Sequence, residues 1–187
     1  MIVGFCGRKG SGKDTASEVF ERHGAVHIKF AGALKSMLVT LLLFQGVEED
    51  VVFRMIEGDL KEIPSDYLGG RSPRYAMQTI GTEWARDLMA PDLWVQVFKA
   101  AASKFPLVVC SDVRFPNEVK AINDLGGQVY RVERLGVDRT DEHPSESMID
   151  LLDVDGTLYN AGTSIPDFHQ HIYEMFGHRI GPKPSVH

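Results

Sequence analysis

Residues 2–15, IVGFCGRKGSGKDT, constrain the fold more than any other stretch of the chain. A short apolar run ends at Gly7, a glycine-rich loop comes next, and from Lys13 onward Ala16, Val19 and Phe20 recur at helical spacing. The segment therefore reads strand, loop, helix. In such a loop the glycines let backbone N–H groups turn inward on a phosphate. The lysine spans the phosphate oxygens, and the helix N-terminus adds about half a positive charge. The general pattern G-x-x-x-x-G-K-[ST] asks for a hydroxyl after the lysine, whereas this chain has Asp14 there and Thr15 one place later. A carboxylate can hold Mg²⁺ directly or through water, so Asp14 is a candidate magnesium ligand.

Beyond the first helix the chain alternates strand and helix. AVHIKF at 25–30 is expected as a second strand, succeeded by a helical stretch over about 32–44 and an acidic, helical or irregular region through Asp59. Residues 61–74, KEIPSDYLGGRSPR, gather Pro, Gly and Ser and read as an exposed loop. Two helices are expected next, from Pro73 to about Met89 and from Pro91 to about Lys104, each with an early proline. PLVVCSDV at 106–113 is the most buried-looking strand, because nearly every position is apolar and β-branched residues recur. A helix from Pro116 to Leu125, a strand QVYRVERL at 128–135, an Arg-bearing loop at 136–147, a strand-like SMIDLLDV and a helix from Ile165 to Phe176 complete the pass. The alternation predicts an α/β fold, a parallel sheet with helices on both faces and right-handed crossovers.

Length and charge narrow the function classes. At 187 residues the chain suits one domain, and its net charge of −6 argues against general affinity for nucleic acid or anionic membrane. Any anion site must be local. Cys6 and Cys110 both sit in apolar runs and read as reduced core thiols. Met1 leads straight into a strand, and no apolar run approaches the ~20 residues of a membrane span, so the cytoplasm is the expected location.

Two further stretches carry phosphate-binding chemistry. SDVRFPNE at 111–118 lies at the C-terminal tip of the buried strand, where open α/β sheets bind ligands. There Asp112 can orient a hydroxyl or metal-bound water, and Arg114 offers a planar fork for phosphate; a plain Asp112–Arg114 salt bridge is the alternative. RSPRYAMQTIGTEWARDLMAPDLW at 71–94 combines Arg71, Arg74 and Arg86 with Gln78, Gly81, Thr82, Trp84 and Trp94, charge for a phosphate and aromatic planes for a base. DVDGTL at 153–158 has the form of the nucleophile strand of haloacid-dehalogenase-type phosphatases, but that fold grows from this strand and too little chain remains after it. It is read as a strand and turn of the present fold. His27, His169, His171, His178 and His187 lack companions at metal spacing and read as packed or surface residues.

With these pieces together, the chain resembles the bacteriophage-type deoxynucleoside monophosphate kinases, a branch of the P-loop nucleoside monophosphate kinase fold. The resemblance rests on GSGKDT at 10–15, FAGALK at 30–35, RSPRYAMQTIGTEW at 71–84, Trp94, DVRFPNE at 112–118, DEHPSE at 141–146 and NAGT at 160–163. In that family the loop ends G-K-D-T, as here. The resemblance implies a P-loop NTPase-type sheet in a single domain over 1–187, with a helical monophosphate-binding insertion at about 32–104 and a lid-like loop at about 134–147. It implies ATP, with Mg²⁺, held by Lys9, Gly10, Ser11, Gly12, Lys13, Asp14 and Thr15. A deoxynucleoside monophosphate would be held by Arg74, Gly81, Thr82, Trp94, Asp112, Arg114 and Glu118.

The expected reaction is phosphoryl transfer from ATP to a deoxynucleoside 5′-monophosphate. Lys13 and Arg114 would neutralise and position the phosphates, and Arg139, or Arg134, would close over the transferring group. The partners are small nucleotides, with no nucleic acid polymer and no membrane; a homodimer is compatible with the chain, and the cytoplasm would be a host's if the protein is virus-encoded. A same-fold kinase for another small acceptor, such as the hydroxyl phosphorylated by dephospho-coenzyme A kinase, is the nearer alternative. A nucleotide-binding module without turnover is the farther one.

Overall fold

β1, Ile2–Cys6, is buried along its whole length and forms the centre of a five-stranded sheet. The computed structural model describes residues 1–134, 149–162 and 164–181. Every strand pairing is parallel, and the order is β2 (Val26–His27), β3 (Val108–Val113), β1, β4 (Gln128–Arg134), β5 (Gly156–Asn160). Because β1 lies between β3 and β4, the loop leaving its C-terminal end meets the tips of both. That is where a doubly wound sheet opens a binding crevice.

The chain divides into two compact units, Met1–Phe30 with Phe98–His187, and Ala31–Val97. The first holds the sheet and the helices α1 (Lys13–Glu21), α6 (Pro116–Asp124) and α7 (Ile165–Ile180). Its core joins Val3, Phe5, Phe20, Val109, Leu158, Ile172 and Phe176, with Phe20 edge-on to Phe5 and Phe176 at ring separations of 5.7 and 5.2 Å. α7 begins at Ser164, whose hydroxyl accepts from the Asp167 amide at 3.1 Å, a side-chain cap on an otherwise unsatisfied donor.

The second unit is helical. α2 (Gly32–Phe44) buries Leu34, Leu38 and Leu42, an i, i+4, i+8 stripe, in a core with Val52, Met55 and Ile56 of α3 (Glu49–Ile56) and with Met77 and Trp94. α4 (Pro73–Thr79) starts from a Ser72 cap with Pro73 in the first turn and runs directly into a π-helical segment, Ile80–Met89. The chain then enters α5 (Leu93–Ala102).

Three elements differ from the sequence expectation. The strand at 25–30 is regular only over Val26–His27: Ile28 still donates to the Val109 carbonyl at 2.9 Å, but the Phe30 amide donates to the Asp112 side chain of β3 instead of a backbone carbonyl. The helix predicted over 73–89 changes from α to π at Ile80. SMIDLLDV contains no strand among its described residues. Leu152 closes a turn on Ile149, and one Arg131 nitrogen faces the carbonyls of Ile149, Asp150 and Leu152 at 3.2, 3.1 and 2.9 Å. Backbone acceptors held by a guanidinium are not available to a ladder, and the last strand forms later, at Gly156–Asn160.

Candidate active site

Between β1 and α1 three glycines, Gly7, Gly10 and Gly12, have positive φ, and at two of them a side chain would also meet a neighbour. Gly7 has φ +145°, and a Cβ there would stand 2.4 Å from the Val132 carbonyl oxygen of β4. Gly12 has φ +106° and leaves room for Asn160, whose amide nitrogen donates to the Ser11 carbonyl at 3.0 Å. Asn160, the last residue of β5, thus clips the loop to the sheet. Ser11 is 4% exposed, and its hydroxyl has no hydrogen-bond partner among the described residues. Lys13 opens α1 and folds back over the loop, its ammonium donating to the carbonyls of Gly7 and Arg8 at 2.7 Å each. A cation on loop carbonyls at a helix N-terminus is the arrangement in which a phosphate chain is met. Lys9 and Gly10 form the exposed crest, and Thr15 lies half-buried behind them.

Asp14 does not stand alone in the first turn of α1. Its Oδ1 accepts from Lys29 Nζ and from Ser111 Oγ, both at 2.7 Å. Partial burial works to raise the carboxyl, but the hydrogen bonds from Lys29 and Ser111 outweigh it and hold the group below the usual carboxylate range. The cation matters here, since an unbalanced carboxylate about 5 Å from a phosphate charge would cost about 3 kcal/mol at an effective dielectric of 20. Ligation of Mg²⁺ through Oδ1 does not fit this donor set, because an ammonium and a hydroxyl already occupy that oxygen. Nor do the described residues hold any group of three His, Cys, Asp or Glu side chains able to bind a metal.

At the tip of β3 the two charged residues do not pair with each other. Asp112 Oδ1 accepts from the Phe30 amide at 2.9 Å and from the Cys110 thiol at 3.2 Å, fixing the chain as it leaves β2. Arg114 is exposed, and its guanidinium makes no hydrogen bond or ion pair with the described residues. Glu118 is 2% exposed, and its Oε2 accepts from the backbone amides of Arg114 and Phe115 at 2.8 and 3.2 Å. It therefore caps α6 and shapes the turn that presents Arg114. Glu118→Ala should leave two amides unsatisfied and lower stability by about 1–3 kcal/mol, read from the urea midpoint; an unchanged midpoint would show that water replaces the carboxylate at no cost.

The remaining predicted residues lie in the second unit. Arg74 Nε donates to Glu62 at 2.9 Å. The Gly81 carbonyl accepts from Trp94 Nε1 and from Arg86 Nη1, both at 3.0 Å, and Thr82 beside it is exposed. Trp94 is buried at 4% exposure and belongs to the core, whereas Trp84, its neighbour at 6.4 Å, is 37% exposed and offers the open aromatic face of the pair. Arg134 ends β4 exposed to solvent; Arg139, with the rest of the loop at 135–148, lies outside the described residues.

The phosphatase-like stretch is structural. Asp155 Oδ2 accepts from the Val129 amide at 2.8 Å and its own amide donates to the Val129 carbonyl, which sets β5 in register with β4. Asp153 is exposed on the turn before it. Asp153→Asn is accordingly expected to leave turnover within about two-fold of the parent in a steady-state assay, and complete loss with an intact fold would restore it as a nucleophile.

No pattern in the sequence marks Lys29, Ser111, His27 or Asn160 as parts of the loop's surroundings. Each reaches it by tertiary contact, and only the NAGT resemblance points toward Asn160.

Residues 52–172 match the family model for deoxynucleotide monophosphate kinase. A protein of Acanthamoeba polyphaga mimivirus, provisionally named a deoxynucleotide monophosphate kinase, is 34% identical, with 92% of this chain and 94% of that protein covered. The deoxynucleoside-5′-monophosphate kinase of Escherichia phage T5 is 28% identical over 59% of this chain and 48% of its own length. In architecture, the crystal structure of TT1252 from Thermus thermophilus superposes with a TM-score of 0.51 across 97% of this chain and 98% of that one, at 17% identity, a likeness of fold.

Proposed function

Because this chain belongs to the deoxynucleotide monophosphate kinase family, we propose that it transfers the γ-phosphoryl group of ATP to the phosphate of a deoxynucleoside 5′-monophosphate. The products are the diphosphate and ADP. One observation supports the assignment of roles: two cations stand beyond neighbouring strand tips, Lys13 at the start of α1 after β1, and Arg114, whose guanidinium has no partner among the described residues, after β3.

Such a transfer needs little covalent chemistry from the protein. The acceptor's phosphate oxygen is ionised at pH 7 and attacks the γ phosphorus as the bond to the bridging oxygen of ADP breaks, so no general base is required. What remains is alignment and charge neutralisation. The loop amides and Lys13 bind the donor phosphates, Arg114 binds the acceptor, and Arg134 or Arg139 closes over the group in flight. Magnesium entering with ATP would be held chiefly by phosphate oxygens and water, and would supply charge neutralisation. Within Ala31–Val97, the monophosphate-binding unit in this reading, Arg74 and Thr82 carry groups suited to a phosphate, and the exposed Trp84 carries a face suited to stacking on a base.

Two viral relatives and a net charge of −6 support small nucleotides as partners and a host cytoplasm as the setting. No helix among the described residues is long and apolar enough to cross a membrane. The test is a coupled ADP-release assay over a panel of acceptors. ADP release that depends on a deoxynucleoside monophosphate supports the reading; release with dephospho-coenzyme A alone, or none with any acceptor, overturns it.

A further inference from the structure

A continuous hydrogen-bonded chain runs from the surface of α1 to its phosphate-binding end: Glu21, His27, Ser111, Asp14, Lys29. Glu21 Oε1 lies 2.6 Å from His27 Nδ1, and His27 Nε2 lies 2.9 Å from Ser111 Oγ. Ser111 Oγ is 2.7 Å from Asp14 Oδ1, which also receives Lys29 Nζ at 2.7 Å. Three elements contribute, α1, β2 and β3, so the chain ties the loop's helix to two strands. None of its five residues is among those assigned to the acceptor, although Ser111 adjoins Asp112 on β3.

Counting protons fixes the direction of each bond. Ser111 has one hydroxyl proton, and Asp14, an ionised carboxylate, can only accept it. His27 Nε2 must therefore donate to Ser111 Oγ. Nδ1 faces the Glu21 carboxylate, which is an acceptor, so this hydrogen-bond pattern calls for a proton on each ring nitrogen. The charges then alternate along the chain and balance. Glu21, His27 and Ser111 share the connectivity of a nucleophilic triad, but Ser111 is 3% exposed and its proton is committed to Asp14. A buried hydroxyl that donates to a carboxylate at the surface orients that carboxylate and is not open to a substrate.

We propose that Ser111 and His27 are positioning residues for phosphoryl transfer: they lock the Asp14 carboxylate in the orientation that holds Lys29 at the first turn of α1. Asp14 is thereby a charge-paired hub of the loop, its Oδ1 taken by Lys29 and Ser111. The generic loop carries a hydroxyl after its lysine; here the carboxylate takes that place and the hydroxyl comes to it from β3. The proposal rests on the kinase reading for its effect on rate, but not for its proton arrangement.

Ser111→Ala and His27→Leu should each lower kcat by roughly ten- to a hundred-fold, as expected when an aligned group is released, with the KM for the acceptor within about two-fold of the parent. His27→Gln keeps an N–H near the Nε2 position and should recover most of the loss, which a purely volumetric role would not produce. The second readout is ¹H–¹⁵N NMR of the imidazole in the nucleotide-free protein. The parent should show two protected ring N–H protons on His27, and Ser111→Ala should lose protection at Nε2 alone. Parent-like kcat in Ser111→Ala and His27→Leu, or a parent ring with a single proton, overturns the proposal. An inactive parent that still shows both protected protons counts against the kinase reading and leaves the arrangement standing.

Discussion

Lys13→Ala is expected to lower kcat by roughly 10² to 10³, the scale on which one preorganised donor to a transition state acts. Charge on the β and γ phosphates grows and shifts as the phosphoryl group leaves ADP, and a fixed ammonium at a helix N-terminus meets that charge without reorganising. In the structure the ammonium bridges the Gly7 and Arg8 carbonyls, so it stands at the loop before any nucleotide arrives. Acceptor affinity should barely change. Loop geometry is also held by Gly7, Gly12 and the Asn160 clip, so the variant is expected to fold, and circular dichroism and thermal unfolding check that point. A near-normal kcat would remove the loop from the reaction.

Arg114→Ala should act on the other substrate. The guanidinium has no partner among the described residues, so its loss should change stability by no more than about 0.5 kcal/mol. Charge-assisted bonds to a phosphate are worth about 1.5–3 kcal/mol, and acceptor binding should weaken roughly ten- to a hundred-fold while ATP binding stays put. Arg114→Lys keeps the charge and loses the fork, and should recover only part of the loss. Calorimetric titration of each nucleotide separately is the measurement. A larger effect on ATP would mean that the donor and acceptor sites are exchanged.

Both variants sit in motifs that local sequence announces. The loop is legible because its signal is contiguous: apolar strand, glycines, lysine and amphipathic helix succeed one another, and local spacing carries the geometry. β3 is legible for the same reason, as an apolar run at 107–110 that ends in a polar tip. SMIDLLDV misleads because its apolar residues serve a turn whose carbonyls are held by Arg131, a contact across 18 to 21 residues that no periodicity reports. Glu118 resembles a ligand because it comes after Arg114 in the motif, yet burial turns it toward backbone amides. Trp94 reads as an aromatic plane, and the structure uses its indole N–H to hold the Gly81 carbonyl inside the core.

The surroundings of Asp14 are the least legible part. Ser111 is 97 residues away in sequence and His27 reaches Ser111 across 84. Parallel pairing of β1 with β3 and of β2 with β3 brings them together; Ser111 opens the SDVRFPNE stretch, but nothing in that stretch points it at Asp14, and His27 lies in no motif. A departure from a common pattern, carboxylate for hydroxyl, is visible in the sequence; the cation and hydroxyl that accommodate it are not.

Which atom accepts the phosphoryl group decides between the kinase reading and its rivals, and ³¹P NMR of the reaction mixture identifies that atom. With ATP and a deoxynucleoside 5′-monophosphate, a new pair of coupled phosphorus resonances from the diphosphate should grow in step with ADP, because the transferred group joins an existing phosphate. A single uncoupled monoester resonance from a phosphorylated hydroxyl, or inorganic phosphate alone, would contradict it.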